Sequence, residues 1–160
     1  KNLSKLKHPH IVDILEAFEA NNTCYYVMEY LEGGSFDSYI KAENGLSESE
    51  ALTCIRQIGE ALQFMHNNRM LHLDLKPKNI MRRKDGSIVL IDFGLSKQYN
   101  SQGEPETSTA IGYGTPGYAP IEQSCYRDGE GFPITIDIYA LGATLFKTLT
   151  GKRLPMLLIL

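Results

Sequence analysis

His72-Leu73-Asp74-Leu75-Lys76-Pro77-Lys78-Asn79 is the stretch from which the fold can be inferred. It follows a hydrophobic stretch that ends at Leu71, which places its polar side chains at the edge of a core. Pro77 excludes a helix interior, because proline has no backbone N–H and clashes with the preceding turn. Burying an unpaired carboxylate costs free energy, so we expect Asp74 to have a partner or a metal.

A second polar segment, Asp92-Phe93-Gly94, follows the apolar residues 88–91. Asp74, an Asn five residues later and Asp92 across a hairpin together suit a site with oxygen ligands only. Mg²⁺ prefers such hard ligands and keeps some water and substrate phosphates around it. No cluster of His and Cys offers softer ligands, which disfavours zinc-dependent hydrolysis.

Two β-hairpins are predicted on either side of these loops. Residues 11–18 and 23–31 are rich in β-branched and aromatic side chains, with a polar link at 19–22. Residues 80–83 and 87–91 are joined by a turn at Asp85-Gly86, which predicts the second hairpin.

Two helices and a long loop complete the predicted elements. Ser47 and Glu50 have the spacing of a capping box, and a long amphipathic helix should follow. Its apolar residues at helical spacing should face a core: Leu52, Ile55, Ile58, Leu62 and Met65. Residues 137–149 are apolar nearly all round, typical of a helix buried in a core, and Gly151 suits its C-terminal cap. Residues 96–118 lack periodicity and predict a long loop of the kind that is often functional.

The composition is that of an ordinary globular protein and excludes several function classes. The chain has 160 residues, a formal net charge of −3 and 42% hydrophobic residues, which excludes disorder as the default. No block of Lys and Arg gives an electrostatic reason to bind nucleic acid. No apolar run reaches the roughly 18 residues that a membrane span needs. Cys24, Cys54 and Cys125 lie far apart, which favours reduced structural thiols in a cytoplasmic protein.

Both ends of the sequence favour a segment of a larger protein. The chain opens at Lys1 without an initiator methionine, and it ends in the apolar run 154–160. Exposing such a run invites association. We therefore interpret the 160 residues as part of a longer chain.

Four motifs in order resemble the catalytic lobe of eukaryotic-like Ser/Thr protein kinases. They are HLDLKPKN (72–79), DFGLSK (92–97), GTPGYAPIEQ (114–123) and DIYALG (137–142), and their spellings look prokaryotic. The resemblance implies an α+β, protein-kinase-like fold, mostly the helical C-lobe plus the last two strands of the N-lobe. Residues 1–31 would be a partial N-lobe ending in the hinge, and residues 32–160 a partial C-lobe, both cut short.

The resemblance also implies roles for the residues of the catalytic loop. Asp74 would orient the substrate hydroxyl and accept its proton, while Lys76 would contact the γ-phosphate of ATP and mark Ser/Thr specificity. Asn79 and Asp92 would hold the Mg²⁺ ions. Thr115 would bond back toward Asp74 and Lys76 and shape the pocket for a protein substrate.

The adenine site is implied in the same way. Glu29 and Leu31 would be the hinge, whose backbone C=O and N–H pair with adenine. Met28 would guard the pocket behind the hinge, and Met81 would form the floor under the adenine ring. A buried column that aligns the lobes would comprise Leu3, Ile14, His72, Phe93 and Asp137, although Asp137 could instead simply cap its helix.

Departures from the family pattern keep alternatives open. Leu73 stands where most members carry an Arg that pairs with a phosphate on the activation loop, so activity should not require phosphorylation of Thr107, Ser108 or Thr109. The 160 residues contain no Gly-rich phosphate loop, strand Lys or helix Glu. A pseudokinase or binding module, an inactive fragment, a small-molecule phosphotransferase and a plain structural domain are therefore weighed against the kinase.

Overall fold

A computed structural model describes residues 7–92, 96–100, 102, 114–125 and 132–155. Strands β1 (Ile14–Ala20) and β2 (Thr23–Met28) form an antiparallel hairpin through a turn at Asn21 and Asn22, both at positive φ. Asn tolerates this left-handed conformation, which gives a hairpin turn with the twist that the strands need. The first predicted hairpin is confirmed, but its first strand begins later than predicted.

Residues 11–13 leave the hairpin and run beside another strand. The Val12 amide donates to the Leu90 carbonyl at 2.9 Å, and the Leu90 amide donates to the His10 carbonyl at 3.0 Å. Ile11 and Val12 are buried there. Their apolar side chains therefore pack into the core beside β5 (Ile88–Leu90) and are not part of the exposed hairpin.

The helices form the larger layer of the fold. Helix α1 spans Phe36–Glu43, α2 spans Glu48–Asn67 and α3 spans Thr135–Thr150. Helix α2 packs against α3 and against two strands, β5 and β3 (Met70–Leu71). The buried core between them is mostly aliphatic, with Phe36, Ile40, Ile58, Leu62, Met65 and Leu75 fully enclosed.

Short strands and 3-10 turns place the loops. Strand β4 (Ile80–Arg82) pairs with β5, which confirms the second predicted hairpin, and a 3-10 turn, Pro77–Asn79, leads into it. Strand β6 (Lys97–Gln98) pairs with β3, and a second 3-10 turn spans Ile121–Cys125. The prediction of a loop throughout 96–118 is therefore wrong at β6, because pairing with β3 imposes an extended backbone that its sequence does not specify.

Only one of the two hydrogen bonds of the capping box predicted for α2 is present. The Ser47 hydroxyl accepts a hydrogen bond from the Glu50 amide at 3.4 Å. The Glu50 carboxylate does not reach back to complete the box, because it accepts the Tyr39 hydroxyl of α1 instead. A contact between helices has replaced the local one.

Two predictions of buried faces need correction. Leu52 is 46% exposed, while Ala51 and Cys54 take the core positions of the first turns of α2. Helix α3 is buried along one side only: Ile138, Tyr139, Phe146 and Leu149 are each more than a third exposed. In the described part of the chain α2 covers one face of α3, and an apolar composition does not identify which face that is. The C-terminal cap is confirmed, with Gly151 at φ 67°.

Candidate active site

Asp74, Lys76 and Thr115 form a closed network of short polar contacts. The Lys76 ammonium lies 2.6 Å from Asp74 Oδ2 and donates to Thr115 Oγ1 at 2.7 Å. The Thr115 hydroxyl in turn donates to Asp74 Oδ1 at 2.6 Å. The carboxylate and the ammonium are only 14% and 19% exposed, so their charges attract strongly and stay fixed relative to one another.

Asn79 braces the same carboxylate from the 3-10 turn. Its Nδ2 donates to the Asp74 carbonyl at 2.9 Å and to Asp74 Oδ2 at 3.1 Å. Both contacts use the amide nitrogen, which leaves the Asn79 carbonyl oxygen as an acceptor. Asp74 Oδ1 accepts one hydrogen bond among the described residues, from Thr115, so a lone pair remains for a substrate hydroxyl.

Asp92 lies near this network through the end of β5. The Ile91 amide donates to the Asn79 carbonyl at 3.1 Å, which ties the residue before Asp92 to the 3-10 turn. Asp92 is exposed. Its negative charge, like that of Asp74, opposes the lowering of the pKa of the buried His72. Phe93 and Gly94, the rest of that motif, lie outside the described residues.

The buried carboxylate of Asp137 holds the backbone at the start of the 72–79 stretch. Asp137 Oδ2 accepts the His72 amide and Oδ1 accepts the Leu73 amide, each at 2.9 Å. His66, at the end of α2, contributes Nε2 at 2.8 Å from Oδ2. Burial alone would raise the pKa of Asp137, but the His66 contact and the two amides hold that pKa below its usual 3.8. Asp137 therefore links α2, α3 and the loop and does not cap its own helix.

Leu73 is held in an unusual conformation from both sides. Its φ of 64° is in the left-handed region, which costs a non-glycine residue free energy. Its amide donates to Asp137, and its carbonyl accepts Gln123 Nε2 at 2.8 Å. Gln123 is 1% exposed, so this contact is shielded from water. The neighbouring elements thus determine the direction in which Asp74 leaves the backbone.

His72 is a buried structural residue, as the sequence predicts. Burial lowers its pKa below the usual 6.5, against the opposing carboxylates of Asp137, Asp74 and Asp92. Nδ1 of the ring accepts the Asp74 amide at 3.3 Å, a role that requires a neutral ring. Of the predicted column, His72 and Asp137 are buried and Ile14 is only partly buried, while Leu3 and Phe93 lie outside the described residues.

The predicted hinge residues lie together at the other end of the site. The Glu29 carboxylate pairs with Arg83 through two contacts, of 2.7 and 3.2 Å, and the Glu29 amide donates to the Asp13 carbonyl. In the described part of the chain, neither the Glu29 carbonyl nor the Leu31 amide bonds to protein. Met81 packs beside Leu31 in a small apolar cluster with Val12 and Val89. Met28, by contrast, is 45% exposed on β2.

Three residues that matter here were not predicted from the sequence. Gln123 donates to the Leu73 carbonyl, and His66 contacts Asp137. Arg83 forms a salt bridge with the Glu29 side chain. A lone Gln or His on a helix carries no signal of a distant partner. Arg83 ends the second hairpin with a charge of the sign that Glu29 needs, but nothing in one sequence pairs residues 54 positions apart.

The described residues contain neither of two other features that bear on function. Within them, no three or more His, Cys, Asp or Glu side chains are grouped in a way that would hold a metal ion. The helices among them are also too short or too polar to cross a membrane.

Comparison with known proteins gives a consistent result. The family model for the protein kinase domain matches residues 1–156. Serine/threonine-protein kinase PknA of Nostoc is 39% identical over 143 residues, 85% of this chain and 24% of the relative. PrkC of Bacillus subtilis is 38% identical over 152 residues, 95% and 23% of the two chains. PknB of Mycobacterium tuberculosis is 32% identical over 156 residues, 95% and 24%. The chain spans about a quarter of the length of these relatives.

Proposed function

The chain belongs to the protein kinase family, and from that premise we propose that it transfers the γ-phosphoryl group of ATP to a Ser or Thr hydroxyl of a protein substrate. The observation that carries the proposal is the network of Asp74, Lys76 and Thr115, braced by Asn79. The names of the relatives, which are serine/threonine-protein kinases, support a protein substrate over a small molecule.

Asp74 is proposed to orient the substrate hydroxyl and to take its proton. The remaining lone pair on Oδ1 can accept the O–H of the substrate, while Lys76 and Asn79 hold Oδ2. Correct placement of the attacking oxygen lowers the barrier more than proton removal alone does. Thr115 fixes the rotation of the carboxylate and sets the wall against which the substrate side chain lies.

Lys76 is proposed to stabilise negative charge on the transferred group. Its ammonium is already held by Asp74 and Thr115, so little conformational freedom is lost when a phosphate binds. A Lys at this position, two residues after the Asp, is also the family feature from which the sequence predicts Ser/Thr specificity.

The donor set fits magnesium. The Asn79 carbonyl oxygen and the exposed Asp92 carboxylate are hard oxygen ligands, and both lie on segments joined by the Ile91–Asn79 backbone contact. Mg²⁺ held by these two residues would neutralise charge on the phosphates of ATP. Asn79 directs its amide nitrogen to Asp74, which would leave its carbonyl oxygen available as a ligand.

Glu29 and Leu31 are proposed to bind adenine through the backbone. The Glu29 carbonyl and the Leu31 amide are one acceptor and one donor without protein partners in the described residues. The salt bridge to Arg83 and the Asp13 contact hold this segment in place. Met81 would lie under the adenine ring, and Met28 would lie behind the hinge.

The hinge also supplies our proposed domain boundary. Residues 1–31 would belong to the smaller lobe and residues 32–160 to the larger, helical one. We further propose that the protein works in the cytoplasm, where ATP is abundant and widely spaced cysteines stay reduced.

Replacing Asp74 by Asn in the full-length protein tests the proposal. Loss of the base and of the ion pair with Lys76 should lower kcat by about 10²- to 10⁴-fold, the range for a positioned general base. Asp85→Asn, on the exposed turn of the second hairpin, makes the same chemical change away from the network and should leave kcat unaltered. ATP binding, followed by thermal shift, should persist in both variants. An Asp74→Asn protein with full turnover would contradict the proposal.

A further inference from the structure

A pocket of about 350 Å³ opens beside the catalytic network and is strongly basic. Lys76 and Thr115 form one wall of it, and Asp37 is the one carboxylate of its lining. The cationic side chains of this basic pocket are Lys41, Lys76, Lys78, Lys147 and Arg153. The whole chain, by contrast, carries a net charge of −3. Positive charge is therefore concentrated in this pocket, next to the proposed chemistry.

Three of these cations have no acidic partner in the part of the chain that the structure describes. Asp37 pairs with Lys41 at 2.7 Å, and Asp74 with Lys76 at 2.6 Å. Lys78, Lys147 and Arg153 form no ion pair among the described residues. Lys147 is only 8% exposed, and its ammonium donates to the Gly151 carbonyl at 2.6 Å. A cation buried against a carbonyl alone attracts an anion more strongly than one already neutralised.

The position of the unneutralised cations links them to the substrate. Lys78 follows Lys76 by two residues, with Pro77 between them. The stem of Arg153 lies against the 114–118 turn, since a Cβ built on Gly117 would come within 2.8 Å of Arg153 Cγ. Thr115 is in that same turn. A chain whose hydroxyl reaches Asp74 would thus carry its neighbouring side chains past Lys78 and Arg153.

We propose that the preferred substrate carries an anionic side chain, a carboxylate or a phosphate, within a few residues of the accepting hydroxyl, and that Lys78, Lys147 and Arg153 bind that anion. The inference rests on the proposed function, because it assigns a substrate class to the same site. Arg153 can hold two oxygens of a carboxylate or phosphate at once, and the two lysines add point charge. No described acid forms an ion pair with these three groups, which leaves them available to an anion of the substrate.

The test uses the full-length protein and a set of peptides with one Ser each. Asp, phosphoserine or Lys is placed at every position around that Ser in an otherwise neutral sequence. At low salt we expect kcat/KM for the best anionic peptides to exceed that of the matching Lys peptides by roughly tenfold, the sum of a few exposed ion pairs. The advantage should shrink as ionic strength rises. A larger gain with phosphoserine than with Asp identifies phosphate as the preferred anion, and equal gains identify charge alone.

Charge reversal provides the second arm. The double variant Lys78→Glu and Arg153→Glu should lose the preference for anionic peptides and favour Lys peptides. Lys152→Glu is a matched control, because it changes the charge one residue away at an exposed position that does not line the basic pocket. It should keep the original preference. Equal rates for anionic and Lys peptides in the unaltered protein would overturn the inference, whatever the variants do.

Failure of the inference is distinguishable from failure of the proposed function. Phosphorylation of all peptides without charge preference would leave the kinase proposal standing and overturn only the anionic substrate. If no peptide is phosphorylated, fluorescence anisotropy of the same labelled peptides decides. Tighter, salt-sensitive binding of the anionic peptides would then support the basic pocket as an anion site, and equal binding would overturn it.

Discussion

At the scale of single residues, Asp137 has the largest structural effect on the site. One buried carboxylate accepts two successive loop amides and meets His66, so it sets the path of the backbone just before Asp74. These contacts also offset the cost of burying a charge that is 0% exposed. The placement of Asp74 therefore depends on a buried residue of α3.

Asp137→Asn should therefore impair both stability and activity. The NH2 group that replaces one carboxylate oxygen cannot accept a hydrogen bond, so one of the two loop N–H groups loses its acceptor. Breaking such a buried charged contact costs about 3 kcal/mol. We expect urea denaturation to show a loss of this size, and residual folded protein to have a reduced kcat with little change in ATP affinity. Asp13→Asn, at an exposed surface pair with Lys7, is the control and should change stability by less than about 1 kcal/mol. Normal stability and turnover in Asp137→Asn would disprove this role.

His72 predicts a dependence of stability on pH. Its pKa is lowered in the folded state by burial, so the unfolded chain binds a proton first as pH falls through 6.5. Stability from this group is complete above pH 6.5 and declines below it, by up to about 1.4 kcal/mol per pH unit. Urea denaturation between about pH 7.5 and about pH 5 should show the decline. His72→Phe should have a shallower slope, and an unchanged slope would contradict the assignment.

At the scale of elements, helix α3 has one glycine inside it and one at its C-terminal cap. Gly151 ends the helix at φ 67°, and a Cβ there would lie 3.1 Å from the Asn44 backbone carbon. Gly142 lies inside the helix, and a Cβ on it would meet nothing within 4 Å. The two positions separate the need for a left-handed cap from the general cost of glycine in a helix.

Alanine at these two positions should have opposite effects. Gly151→Ala forces an L-residue into the left-handed region against a close backbone and should destabilise by about 1–2 kcal/mol. Gly142→Ala should stabilise by roughly 0.5–1 kcal/mol, because alanine has less freedom to lose on folding. Thermal unfolding of the two variants measures the difference. Equal shifts in Tm would show that the cap geometry contributes nothing.

Sequence patterns identify elements better than they identify which face is buried. Both hairpins, α2 and its Ser47 cap are predicted because each signal is local. The prediction that Leu52 is buried is wrong because a shift of one position changes the face of a helix, and the smaller Ala51 beside it occupies the core position. The prediction of a loop at β6 is wrong for a related reason: pairing with β3 imposes the extended conformation on this two-residue strand.

At the scale of the whole molecule, the site combines segments far apart in the chain. The convergence of Asp74 and Asn79 could be inferred from their spacing, whereas Thr115 was assigned through a motif resemblance, and its contact 41 positions away fits that expectation. Gln123 and His66 were missed, because the contacts of Gln123 with the Leu73 carbonyl and of His66 with Asp137 form only after α2, α3 and the 114–125 segment have packed. Long-range polar contacts are a consequence of the fold and leave no periodic trace in one sequence.

Leu73 connects this packing to regulation. An Arg at that position could bind a phosphorylated activation loop, but Leu73 offers only its backbone, which is already held by Asp137 and Gln123. Because groups of the chain itself hold the Leu73 backbone, we expect the order of residues 72–79 not to depend on a loop phosphate. The residues that would be phosphorylated, 107–109, lie outside the described residues.

Changing Thr107, Ser108 and Thr109 together to Ala should therefore leave the activity of the full-length protein within about twofold, a change of about 0.5 kcal/mol or less, because Asp137 and Gln123 already hold the Leu73 backbone. Thr115→Ala is the contrasting variant: it removes the hydroxyl that joins Lys76 to Asp74 and should lower kcat/KM by at least about tenfold. Steady-state assays on protein treated with phosphatase compare the two. A triple variant that loses activity as Thr115→Ala does would mean that loop phosphates, and not the backbone clamp on Leu73, order the catalytic stretch.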